Sequence, residues 1–139
     1  MDDFRQAINL SQLTSQDTLA LARAAAEAIR DLNHATRHHD SLAQPGDAYE
    51  LIGTLFLTAS RLPQLITQIS AYLNRALAGG RLGHDLGEDP ALAVDGAVIF
   101  LGDARLSAGA LADDLDAAQQ QLALINGQPS LRSKDNQRP

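Results

Sequence analysis

Apolar residues recur along two long stretches of this chain in alternating steps of three and four. The longer series is Val94, Ala97, Leu101, Ala104, Ala108, Leu111, Leu115, Ala118, Leu122 and Ile125, a spacing that gathers every member onto one side of an α-helix. A second series, Ile52, Leu55, Ala59, Leu62, Ile66, Ile69, Leu73 and Ala76, has the same form. Two helices of similar length with matching stripes bury them against each other, so the pattern predicts a paired long hairpin. A shorter stripe of Leu21 or Ala22, Ala25, Ala28 or Ile29, Leu32 and Ala35 predicts a first helix. Its many alanines favour helix and leave room for a close neighbour.

Local signals set the expected boundaries. Thr14 with Asp17 three residues later forms a capping-box start for a helix over residues 15–39. Pro45-Gly46 punctuates the pattern, and Asp47 with Glu50 restarts it for a helix over 47–78, which Gly79-Gly80 stops. Inside this helix Pro63 has no N–H to offer the carbonyl of Ala59, which predicts a kink. Asp89 caps a third helix over 90–125, with Pro90 at its first position and Asn126-Gly127 closing it. The expected fold is therefore an all-α, antiparallel three-helix bundle over residues 14–126, with the first helix along the groove of the hairpin. Residues 1–13 form an arm with Phe4, Ile8, Leu10 and Leu13 as anchors, and 127–139 a disordered basic tail.

The 139 residues suit one domain. Without cysteine the chain has no disulfide framework and no thiolate zinc site. The start, Met1-Asp2-Asp3-Phe4-Arg5, is acidic where a signal peptide is basic, and no apolar run approaches the roughly 20 residues that span a bilayer. A cytoplasmic setting without membrane contact is expected. Net charge is -6, and the last fourteen residues hold Arg132, Lys134 and Arg138 against Asp135, which leaves the body more acidic still. Such a body repels nucleic acid, and with no Trp, three Phe and two Tyr there is no stacking platform for bases.

Candidate chemistry is sparse. Asp31, His34 and His38 fall at i, i+3 and i+7, so on a continuous helix they share a face, and imidazoles at i and i+4 can hold a divalent metal. His84 and Asp85 could complete such a site. The plainer explanation is that histidines in a last turn suit the negative end of a helix dipole. Asp113, Asp114 and Asp116 read as a solvated face, and with Asp103 they offer an acidic surface for a basic partner in the manner of an antitoxin or decoy. No phosphate loop, nucleophile elbow or Glu-x-x-Glu pair is present, so nothing points to catalysis or to a cofactor beyond the metal alternative.

Apolar residues where none is needed say more. With Val94 as position a, the outward f positions of the third helix are Leu92, Ile99, Leu106, Asp113 and Gln120, and Leu57 is a similar outlier on the second helix. Leu57, Leu92, Ile99 and Leu106 are thus either covered by the arm or face a partner. The segment Gln44-Pro45-Gly46-Asp47-Ala48-Tyr49-Glu50-Leu51, followed by Ser60-Arg61-Leu62-Pro63-Gln64-Leu65, resembles small all-helical proteins of high-GC actinobacteria such as Streptomyces. That resemblance implies a helical fold in a bacterial cytoplasm and brings no catalytic residues. A hairpin of this size is also similar to the small Trp-x-Gly secretion substrates, from which the chain departs in having no Trp and a linker of eleven residues, 79–89. The leading expectation is a noncatalytic interaction module, self-associating as a homodimer or acting as an adaptor.

Overall fold

The computed structural model describes residues 12–127. Among them are three α-helices and no strand: α1 Ser15–Ala35, α2 Pro45–Ala78 and α3 Pro90–Leu122, with a short 3-10 turn His39–Ser41 after α1. The chain divides between Ala43 and Gln44 into two units, the first holding α1 and the second α2 and α3. The arm anchors Phe4, Ile8 and Leu10, and the tail from Gln128 onward, lie outside the described residues, while the fourth anchor, Leu13, is exposed. No helix among the described residues is long and apolar enough to cross a membrane.

In α1 the capping box forms. The backbone N–H and hydroxyl of Thr14 both donate to Asp17 Oδ2 at 3.0 Å, and the Asp17 N–H donates to Thr14 Oγ1 at 3.2 Å. These bonds favour the ionised carboxylate, the backbone N–H most of all, and hold the Asp17 pKa below its usual value. The helix stops at Ala35, four residues short of the expected 39, because nothing rewards continuing: Thr36 to Ser41 contain no apolar residue to bury. Instead the Thr36 hydroxyl donates to Leu32 O at 2.8 Å, and Arg37 and His38 donate to His34 O and Ala35 O in tightened i to i-3 turns. No residue of α1 is buried.

The start of α2 also differs from expectation. Pro45 is the first helical residue, Gln44 is the N-cap, and Asp47 serves three positions on, accepting from the Gln44 N–H at 3.0 Å. A proline suits the first turn because its missing N–H has no partner there anyway. At the other end Gly80 takes the left-handed conformation, φ 67°, while Arg81 donates to Ala76 O and Gly80 to Leu77 O. That is a Schellman stop, and it needs glycine. Between these ends α2 is one continuous helix through Pro63. The third helix is capped by Asp89, which accepts from the Ala91 N–H at 2.9 Å, and it ends at Leu122, so that Ile125 stands 55% exposed.

α2 and α3 pack against each other. The buried residues are Ala59 and Ala76 on α2 and Val94, Ala108 and Ala112 on α3, so no side chain larger than valine is buried among the described residues. On α2 the packed face is the expected one except at Ile69, which is exposed while Ser70 is partly buried. On α3 it is rotated. Val94, Leu101, Ala108, Leu115 and Leu122 face inward as expected, but Val98, Ala112 and Gln119 are at least partly buried in place of the exposed Ala97, Leu111 and Ala118. Ala104 is exposed as well. The expected a/d seam is thus an a/e seam, turned by about 50° at 100° per residue. The rotation puts valine inward for alanine at 98, and at 112 it puts alanine inward for leucine, which lets the backbones approach.

These assignments separate two readings of the seam. Ala59→Leu and Ala108→Leu overfill the contact and each destabilise by about 1 to 3 kcal/mol in chemical denaturation, whereas Ala104→Leu leaves the midpoint nearly unchanged. Equal damage at all three positions would restore the a/d seam. For Asp17, a folded-state pKa held below the unfolded one gives stabilisation that is complete above the ordinary carboxylate value near 3.8 and is lost as pH falls through the lowered value. Once exchange rates are corrected for the intrinsic pH dependence of amide exchange, the protection of amides in the first turn of α1 should therefore fall on acidification in the wild type, and Asp17→Ala should show the lower protection already at neutral pH.

Candidate functional site

The most distinctive surface of the molecule is the outer side of the first half of α3. Leu92 is 75% exposed, Ile99 65%, Phe100 74% and Leu106 68%. Leu92, Ile99 and Leu106 recur every seven residues and so make one row, about 21 Å long at 1.5 Å per residue. Phe100 stands beside it, one residue further round the helix. A search confined to f positions misses it, although the sequence carries a signal: Ile99-Phe100 is a pair of large apolar neighbours on a helix that can turn only one of them toward α2. Leu111, 49% exposed, joins this side through the rotation of the seam.

Asp95, Asp103 and Arg105 are the charged residues among these apolar ones, and all three are exposed. Gly96, Gly102 and Gly109 run through the same stretch, and a Cβ built on any of them meets nothing within 4 Å. Each glycine costs a helix roughly 1 kcal/mol relative to alanine, and the α2 contact gives no steric reason for them.

Leu57 is 48% exposed, but the structure places it elsewhere. It lines an open concavity of about 490 Å³ with Tyr49, Gly53, Phe56 and Gln119, at a level of α3 well beyond Leu106. Here the Gln119 amide donates to the backbone carbonyl of Tyr49 at 3.3 Å, and the Gly53 position lies directly under the Gln119 side chain. Glu50 supplies the carboxylate of the lining.

The histidine cluster does not share one helical face. Asp31 and His34 lie on α1, but His38 follows its end with φ -91° and ψ 122°. The two rings sit edge to face, 5.9 Å between centroids. His39 instead pairs with Asp40 at 3.5 Å, and His84 with Glu88 at 3.9 Å, while His84 Nδ1 accepts from the Leu86 N–H. Among the described residues no three His, Asp or Glu side chains form a group that could hold a metal ion. Of the acidic set, Asp103, Asp113 and Asp114 are exposed, and Asp116 accepts from the Gln120 amide at 2.9 Å.

No protein-family model matches this chain, and neither a curated protein nor a solved structure is similar to it.

Proposed function

We propose that the chain is a noncatalytic protein–protein interaction module that self-associates through the outer face of α3. One observation carries this reading: Leu92, Ile99, Phe100 and Leu106 stand about two-thirds or more exposed beside a helix contact that buries nothing larger than valine. Burying a large apolar side chain fully contributes about 1.5 to 3 kcal/mol. Scaled to the fraction exposed, four such residues from each of two copies contribute roughly 8 to 17 kcal/mol gross, against an association cost of about 4 to 15 kcal/mol. The face is therefore large enough to support a modest dimer. Apolar patches of this kind are otherwise a solubility liability.

The framework for that face is an antiparallel α2–α3 hairpin. Its support is the Tyr49–Gln119 hydrogen bond near the start of α2 and the end of α3, together with the concavity that Ile66, Thr67 and Ser70 share with Val98, Leu101 and Arg105 further along. α2 bends at Pro63, where the Ala59 carbonyl loses its helical donor.

Sedimentation of the full chain tests the association. The wild type should sediment as a dimer at micromolar concentration, and Ile99→Asp should yield monomers with unchanged helical circular dichroism. Deleting residues 1–12 should leave the dimer intact, because the face is filled by a second copy. A wild-type monomer at every concentration sinks the reading, and so does new aggregation on deletion of the arm, which would make the arm the cover. For the bend, Pro63→Ala should be neutral or stabilising, as a straight helix regains a hydrogen bond. A loss above about 2 kcal/mol would mean that the α3 contact is built on the bent form.

A further inference from the structure

The apolar row of α3 borders a hollow that holds a cation without a counter-charge. Gly102 follows Ile99 by three residues and precedes Leu106 by four, which makes it a surface neighbour of both. It also lines a hollow of about 330 Å³ between α2 and α3, with Ile66, Thr67, Ser70, Val98 and Arg105. Arg105 is exposed and makes no ion pair among the described residues. Its own surroundings offer it no carboxylate. On α3 the residues three and four positions away are Leu101, Gly102, Ala108 and Gly109, and α2 carries no Asp or Glu from Leu51 to Ala78. Asp95, the carboxylate on the same side of α3 as Gly102, is ten residues back, about 15 Å along the helix.

A second copy supplies what one chain lacks. Asp95, Gly102 and Gly109 recur at sevens beside the row of Leu92, Ile99 and Leu106, so the two columns have the form of a coiled-coil seam. In a parallel pair about a twofold axis each residue stands level with its own mate, which sets Asp95 against Asp95, Asp103 against Asp103 and Arg105 against Arg105. An antiparallel pair avoids this. With the twofold axis between Phe100 and Leu101, Leu92 stands level with the partner's Gly109, Ile99 with the partner's Gly102, and Leu106 with the partner's Asp95, which lies one residue from the level of Arg105. Large residues thus meet glycines. A Cβ on Gly102 or Gly109 would meet nothing within 4 Å in its own chain, and that space admits the aliphatic side chain opposite.

We infer that α3 pairs antiparallel with α3 of a second copy in this register, and that Asp95 of each chain enters the other's hollow to pair with Arg105. The inference rests on the self-association proposed above and adds its orientation and its polar contact. Symmetry forms the ion pair twice in each dimer, and its specificity is electrostatic where that of the row is steric.

Charge exchange tests the pair in sedimentation of the full chain. Asp95→Lys and Arg105→Glu should each raise the dimer Kd about tenfold or more by bringing like charges together, and the chain carrying both should return to within about threefold of the wild type. Circular dichroism should show all three folded. Because the chain has no cysteine, oxidation reports the orientation: a mixture of Leu92→Cys and Gly109→Cys chains should form the mixed disulfide, while each variant alone stays unlinked, its two mates being about 25 Å apart. Leu92→Cys chains that link to one another would overturn the antiparallel order, and a double exchange as weak as the single ones would overturn the pair, with the dimer itself intact in both cases. A wild type that stays monomeric removes the self-association reading and this inference with it.

Discussion

The second unit of this protein depends on the contact between two helix faces whose buried residues are alanine and valine. Ala59, Ala76, Val94, Ala108 and Ala112 put little side-chain volume between the axes, which allows α2 and α3 a close approach. Close approach gains dispersion contacts along helices of 34 and 33 residues. The larger side chains of the packed faces, Leu62, Ile66, Leu101 and Leu115 among them, are only partly buried. A thin core of this kind draws limited stabilisation from burial.

That constraint links packing to function. A helix pair glued by leucines would hide its apolar surface within the chain. This pair instead carries Leu92, Ile99 and Phe100 on the far side of the contact, where only another molecule or another segment can take them out of water.

Much of the framework is legible in the residues because end signals act through a few covalently near groups. Thr14 with Asp17, Asp89 with Pro90, and Gly79-Gly80 with its left-handed turn all work over three to five residues, and the structure forms each of them. Pro45 obeys the rule that places Pro90, but Asp47 and Glu50 make a competing cap that looks complete. The end of α1 is not legible, because a stripe of alanines carries no information about where burial ceases. Rotation of the α3 seam has the same origin. Ala97, Ala104 and Ala118 mark an apolar face by type while contributing little area, so the choice between the d and e columns is decided by size at 111 and 112, a matter of what α2 can accommodate. For the histidines, Asp31, His34 and His38 line up only on a helix that continues, and this one does not. The outer row on α3 is readable because three aliphatics on an f column have no other account, whereas Phe100 needs the actual azimuth of the helix.

One further property comes from where the small residues fall. Ala59 is the lone small member of its column between Ile52 and Ile66, and Ala108 is the lone small member of its own between Leu101 and Leu115. Sliding either helix by a heptad would drive a leucine or isoleucine into the narrow waist, and it would strip the Gln119 amide of the Tyr49 carbonyl. Alignment is thus encoded twice, once by shape at mid-length and once by polarity near one end. A chain whose stripes look interchangeable is in this way protected against slipped pairing, both while it folds and when a second copy with identical stripes is close by.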